Sequence, residues 1–138
     1  MLTQIMVTTL ADSAGLDVPD GEVSLREALT AANRDQAFGD APAGSGKDRI
    51  VFDPSLSGGT ITLDGLNLTV NSEIVIDGRG QDITVDGGGL SRVMNVVAVG
   101  SSRIQGLTLT GGSTGTGGGM RVSGGGTLRL DEMTLTGN

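Results

Sequence analysis

The chain has 138 residues, the length of a single domain, and 25 of them are glycine. It has no cysteine and no histidine, which excludes disulfides, thiolate chemistry and Ser-His or Cys-His catalytic pairs, and it has only two aromatic residues. A net charge of −7, with the arginines and the single lysine spread along the chain, argues against a protein that binds nucleic acid.

The N-terminal region carries no recognisable targeting signal. The first ten residues, MLTQIMVTTL, lack both the basic segment and the long apolar segment of a secretory signal peptide. We therefore expect either an intracellular chain or one from which a leader was removed. No apolar run approaches the roughly 18 residues that a membrane-spanning helix needs. Residues 1–48 are expected to hold a strand at 4–10, one helix and a loop, and residues 49–138 the strands of the same continuous domain.

The one predicted helix covers about residues 22–33. Ser24 and Glu27 have the spacing of a capping box, in which each side chain pairs with the other residue's backbone amide. The apolar positions that recur at helical spacing form one stripe, consisting of Leu25, Ala28, Leu29 and Ala32. We expect this stripe to cover an apolar surface, and we expect Arg26 to face solvent.

Residues 49–138 contain an internal repeat of short strands, each with the pattern apolar, Thr, apolar, Asp or Thr, Gly. Its copies begin at Ile61, Ile83, Leu107 and Met133, at offsets of 22, 24 and 26 residues. Two further sets repeat at 26 residues, namely Leu68, Met94 and Met120, and Arg103 with Arg129. Residues 74–78 are another copy that fits none of these offsets, and we interpret them as an irregular first turn.

Repeats of this length with several strands each predict a solenoid. In a parallel β-helix, equivalent strands stack about 4.8 Å apart. Two inward columns are then expected, Ile61 with Ile83, Leu107 and Met133, and Leu63 with Val85, Leu109 and Leu135. An outward ladder of Thr62, Thr84, Thr108 and Thr134 is also expected. The fold class is therefore all-β, a parallel β-helix whose open first rung needs a cap, and the helix stripe can supply it.

The segment DGEVSLREAL at residues 20–29, followed by Ala31-Ala32-Asn33, resembles a bacterial N-terminal domain named for its Cys-Ser-Leu-Arg-Glu-Ala motif. Val23 stands where that family has Cys, so five of the six motif positions match. The strand at 50–53 and rungs ending in Thr-Gly-Gly or Thr-Gly-Asn extend the resemblance over nearly the whole chain. It implies a right-handed, pectate-lyase-like parallel β-helix on secreted or cell-surface bacterial proteins, and it implies no defined enzyme activity.

Aspartates at predicted strand ends are the only candidates for site chemistry. Asp64 and Asp86 are expected as neighbours in one outward column, where they could bind Ca²⁺ weakly or serve acid/base catalysis. Asp before Gly is also ordinary turn chemistry, which is the interpretation we favour. The Thr ladder resembles the flat face of an ice-binding β-helix, but Asp64 and Asp86 interrupt it. We expect no catalytic and no cofactor-binding residues.

The function expected from the sequence is structural or interactive rather than catalytic. We expect the N-terminal cap and first rungs of a secreted or cell-surface β-helix protein, such as an adhesin or a filament component. The alternative is the N-terminal part of a carbohydrate-active β-helix enzyme, a lyase or hydrolase. Because residues 133–138 end a strand with no second helix after it, we expect the last rung to continue in a longer protein or to self-associate through its edge. A polysaccharide or another surface ligand is a further expected partner.

Overall fold

The computed structural model describes residues 3–12, 21–113 and 118–138. In these residues the chain forms a parallel β-solenoid of about three turns with one short α-helix, which confirms the predicted fold class. The named strands all pair in parallel.

Three sheets run along the solenoid, and each complete turn contributes one strand to each of them. The five-stranded sheet consists, in spatial order, of β1 (Thr3–Val7), β2 (Asp48–Phe52), β5 (Ile74–Asp77), β8 (Ser101–Gln105) and β11 (Thr127–Asp131). The three-stranded sheet consists of β4 (Leu68–Val70), β7 (Met94–Val97) and β10 (Met120–Ser123). The four-stranded sheet consists of β3 (Thr60–Thr62), β6 (Ile83–Asp86), β9 (Leu107–Thr110) and β12 (Thr134–Leu135). Helix α1 (Leu25–Arg34) precedes β2, and a 3-10 turn (Pro54–Leu56) follows it.

The core is a single column of aliphatic side chains inside the three sheets. Because side chains alternate along a strand, every second residue points inward. Ile50, Ile76 and Ile104 are paired in register on successive strands of the five-stranded sheet, and each is at most 1% exposed. Each turn of the solenoid therefore encloses stacked branched side chains. Phe52 is the one aromatic residue in the fully buried part of the core.

The predicted register of the first strand of the four-stranded sheet is wrong by two residues. The structure pairs Ile61 with Val85 and Thr62 with Asp86, an offset of 24 rather than 22. The strand begins earlier than expected, because the turn at Gly58 and Gly59 places the Gly59 carbonyl as acceptor for the Thr84 amide. The outward ladder therefore begins at Thr60 rather than at Thr62, while the pairing of β6 with β9 and of β9 with β12 follows the predicted offsets of 24 and 26.

Residues 74–78 do not belong to an irregular first turn of the solenoid. Residues 74–77 form β5, a central strand of the five-stranded sheet, and pair with β2 at an offset of 26 and with β8 at an offset of 28. The segment from β5 to β8 is two residues longer than those from β2 to β5 and from β8 to β11. A search at constant offset therefore does not find this copy of the repeat. The predicted strand at 4–10 is also shorter, since the amides of Thr8 and Thr9 donate to the carbonyl of Val23 and lead the chain towards the helix.

Candidate functional site

The start of α1 is fixed by the capping box. The Ser24 hydroxyl accepts from the Glu27 amide at 3.1 Å, and the Ser24 amide donates to Glu27 Oε1 at 3.0 Å. The second carboxylate oxygen of Glu27 accepts from the Asp40 amide at 3.0 Å, so the same side chain also anchors the loop after the helix. The helix therefore starts at Leu25 rather than near 22, and it ends one residue beyond the prediction at Arg34, before a left-handed Asp35. Asp20, which opens the motif, lies outside the described residues.

The apolar face of α1 belongs to the solenoid core. Leu25, Ala28, Leu29 and Ala32 are each at most 2% exposed and lie in the same buried cluster as the strand side chains. The helix contacts β4, β1 and β2, the first strands of two of the three sheets. It therefore covers the end of the column of aliphatic side chains that would otherwise face water.

Arg26 does not face solvent as expected, since only 12% of its side chain is exposed. Its guanidinium donates to the carbonyl of Leu66 at 2.7 Å and to that of Asn67 at 3.0 Å, in the segment that leads into β4. Asp12 holds the guanidinium in place through two contacts of 2.7 and 3.1 Å, and it also accepts from the Asp64 amide. An arginine in the helix thus satisfies backbone carbonyls that have no strand neighbour on that side.

Asn33 takes the place of a missing β-strand. Its side-chain amide donates to the Thr69 carbonyl at 2.9 Å, while its oxygen accepts from the Asn71 amide at 3.0 Å. A residue on a parallel strand opposite Val70 would make the same two hydrogen bonds. The carboxamide of Asn33 therefore continues the hydrogen-bond ladder of the three-stranded sheet at the point where the helix replaces a strand.

We call the face formed by Ser24, Arg26, Glu27 and Asn33 together with the apolar stripe the N-terminal cap. Sequence reasoning identified the apolar stripe and the capping box but missed Arg26, Asn33 and Asp12. The backbone partners of the two helix residues lie 36 to 41 residues away, and Asp12 lies 14 residues from Arg26, so no local pattern points to them. The available signal was that Arg26 and Asn33 both belong to the segment that carries the family resemblance.

The candidate calcium residues do not form the expected pair. The corrected register places Asp86 opposite Thr62 and Thr110 rather than beside Asp64. Asp86 instead accepts from the Gly88 amide at 2.8 Å, which is the turn chemistry of an Asp before Gly. Asp64 is exposed and follows the end of β3. In the described part of the chain, no group of three or more His, Cys, Asp or Glu side chains is arranged to hold a metal ion.

The other end of the solenoid is open in the described residues. Val122, Leu130 and Leu135 are 51%, 41% and 46% exposed, one on each of the last strands β10, β11 and β12. Their register partners one turn earlier, Val96, Ile104 and Leu109, are at most 1% exposed. The same inward positions thus change from buried to exposed within one rung of the coil. We call the edge formed by β10, β11 and β12 the C-terminal edge.

Two further findings bear on the chain as a whole. No helix within the described ranges is both long enough and apolar enough to cross a lipid bilayer. Comparison of the chain with protein-family models, with curated proteins and with solved structures finds no match.

Proposed function

We propose that the chain is a structural and interaction module, the capped first turns of a secreted or cell-surface bacterial β-solenoid, without a catalytic role of its own. The resemblance of residues 20–33 to the N-terminal domain with the Cys-Ser-Leu-Arg-Glu-Ala motif supports this proposal. The observation that carries it is the difference between the two ends of the coil. The N-terminal cap covers one end, whereas the C-terminal edge presents exposed apolar residues and unpaired strands. Such an edge is a template for a further strand.

The C-terminal edge is the interaction surface of the module, on which either a further rung of a longer protein or a second copy of the chain can pair. For this chain on its own at high concentration, we propose the second copy as the partner. The N-terminal cap already lies against the first strands of two of the three sheets, so head-to-tail stacking would have to displace α1. Pairing of one C-terminal edge with another displaces nothing and closes as a two-fold dimer.

The charges on β11 favour this two-fold pairing. Arg129 and Asp131 lie two residues apart on the outer side of the strand, and Leu130 lies between them on the inner side. In an antiparallel pair of β11 strands centred on Leu130, each Arg129 lies opposite Asp131 of the partner subunit. The register that joins the two apolar ends thus also pairs opposite charges across the strands.

Sedimentation equilibrium up to about 1 mM protein tests the proposal. We expect a monomer–dimer equilibrium that Leu130→Lys abolishes. Arg129→Asp or Asp131→Arg alone should weaken dimerisation about tenfold, because like charges then face each other, and the double exchange should restore it. Leu90→Lys is the matched control, since Leu90 is 69% exposed but lies in the turn between β6 and β7. A monomer at all concentrations, or a dimer indifferent to these changes, would contradict the proposal.

A further inference from the structure

Five of the nine basic residues of the chain meet on the outer face of the five-stranded sheet. Arg49, Arg103 and Arg129 lie on β2, β8 and β11 in one row of the register, in which Gln4 of β1 and Val75 of β5 fill the other two positions. Lys47 precedes β2, and Arg79 follows β5. The sequence spreads these residues over more than 80 positions, so their scatter along the chain does not predict the cluster that forms once the turns are stacked.

The five basic residues line a groove of about 460 Å³ that also contains Ser101, Gln105 and Thr127. The side chains remain accessible, since those of Arg49, Arg79, Arg103 and Arg129 are 37%, 51%, 41% and 64% exposed. None of the residues that line this groove is an aspartate or a glutamate. A row of cations with hydroxyl and amide groups between them therefore faces solvent on a chain whose net charge is −7.

The carboxylates around the groove orient the guanidinium groups and leave them incompletely neutralised. Asp77 contacts both Arg49 and Arg79, and Asp131 contacts both Arg103 and Arg129. Two carboxylates thus serve four guanidinium groups, each of which has five N–H donors. Glu132 adds a more distant negative charge near Arg79, and Glu73 accepts from the Ser101 amide at the side of the groove. Donors not used by Asp77 or Asp131 are available to an anion in the groove.

We propose that this groove binds an acidic polysaccharide along the axis of the solenoid. Strands stack about 4.8 Å apart, so Arg103 and Arg129 are one strand spacing apart, and Arg49 and Arg103 are two. Carboxylate or sulfate groups on an extended sugar chain would meet a guanidinium at each of these positions, in the planar two-bond geometry that arginine favours. Ser101, Gln105 and Thr127 offer hydrogen bonds to sugar hydroxyls between the charges.

A sugar chain fits the groove better than a nucleic acid. No aromatic side chain lines the groove, so it lacks the surface on which the bases of a single-stranded nucleic acid would stack. The groove shares Arg129 with the C-terminal edge, but its other four basic residues lie on or beside other strands of the sheet.

Affinity electrophoresis and calorimetry with polygalacturonate and with heparin at low salt test this inference, and dextran and single-stranded DNA serve as comparison ligands. We expect binding to one or both acidic polysaccharides, weakening as salt rises, and none to dextran. Arg49→Gln and Arg103→Gln should each weaken binding about tenfold, since a charge-assisted hydrogen bond is lost. Lys47→Gln, at an exposed position before β2, should weaken it less and leaves the sheet untouched.

The matched control is Arg121→Gln, which removes an exposed arginine from β10 in another sheet and should leave binding unchanged. The chain length of the bound polysaccharide should also remain unchanged after incubation. The inference would be overturned if the chain bound neither acidic polysaccharide, or if it bound single-stranded DNA equally well. Full affinity in Arg49→Gln and Arg103→Gln would also overturn it. Because Arg49 lies on β2 and contacts Asp77 rather than Asp131, Arg49→Gln should sediment like the unmodified chain, which separates this result from the test of the dimer.

Discussion

At the residue scale, the N-terminal cap replaces strand hydrogen bonds by side-chain hydrogen bonds. Arg26 satisfies two carbonyls, and Asn33 satisfies one carbonyl and one amide on the side of the three-stranded sheet where α1 lies. A backbone group left without a partner costs most where it is buried, about 1–3 kcal/mol, and the bonds from Arg26 to the Asn67 carbonyl and from Asn33 to the Thr69 carbonyl are partly buried. Polar residues in this helix are thus part of the fold rather than a solvated face.

A buried carboxylate at the start of β2 makes the fold sensitive to pH. Asp48 is fully buried; Oδ1 accepts from the Ser45 amide at 2.7 Å, but Oδ2 has no hydrogen-bond partner. Burial raises the pKa of Asp48 above its ordinary value, although the hydrogen bond from Ser45 opposes this, and the charge of Asp35 raises it further. The folded state therefore holds a proton more tightly than the unfolded state, and the contribution of Asp48 to stability is lost as the pH rises through the raised pKa.

We expect Asp48→Asn to raise the free energy of unfolding at pH 7 by roughly 1 kcal/mol, because it removes a buried charge while an amide oxygen can still accept from Ser45. The gain should shrink as the pH falls through the raised pKa of Asp48, where the folded carboxyl becomes protonated. A series of urea unfolding curves from pH 7 downwards measures both effects. Asp64→Asn at an exposed position is the control and should change little. A loss of stability in Asp48→Asn at pH 7 would show that the charged form is compensated in the fold.

At the element scale, the corners between the sheets stack on one another, and this stacking limits how short the connection between two strands can be. Gly106 alone connects β8 to β9, with φ at +74°. A Cβ atom there would lie 2.4 Å from the Arg79 amide nitrogen and 2.6 Å from the Gly78 carbonyl carbon, in the equivalent corner one turn earlier. The corner therefore requires glycine for two reasons, the left-handed backbone and the close approach of another backbone.

Gly106→Ala should lower the free energy of unfolding by about 2–4 kcal/mol, through backbone strain and overpacking together. Gly125→Ala is the matched control, since its backbone φ is not left-handed and no atom lies within 4 Å of the added Cβ. We expect that control to stay within about 0.5 kcal/mol of the unmodified chain. Thermal unfolding of the two variants side by side checks the prediction, and equal stability would mean that the corner can open without cost.

Local chemistry and long-range contact explain which elements could be predicted from the sequence. The Ser24–Glu27 box predicted α1, and the repeats at 26 residues predicted β7 and β10, because these signals are contained in the pattern itself. The pairing of β3 with β6 and the placement of β5 were missed, because the turns between equivalent strands differ in length. The basic groove was missed for the related reason that its residues become neighbours only when three turns are stacked.

At the scale of the whole molecule, the described turns of the solenoid have a covered N-terminal end and an exposed C-terminal edge. Each turn buries its apolar residues against its neighbours, so stability in such a coil depends on what covers the terminal turns. The N-terminal cap provides this cover through the apolar face of α1, and the C-terminal edge leaves Val122, Leu130 and Leu135 exposed.

Residue-resolved amide hydrogen exchange tests the difference most directly. In dilute protein, the Asn71 amide should be protected like the strands of the central turn, and Asn33→Ala should remove that protection selectively, because the Asn33 side chain is its acceptor. The backbone amides of β10–β12 on the side that has no neighbouring strand should exchange rapidly in dilute protein. Their exchange should slow down as the concentration rises and the edges pair. An unprotected Asn71 amide, or C-terminal strands protected as well as the central turn in dilute protein, would contradict the account.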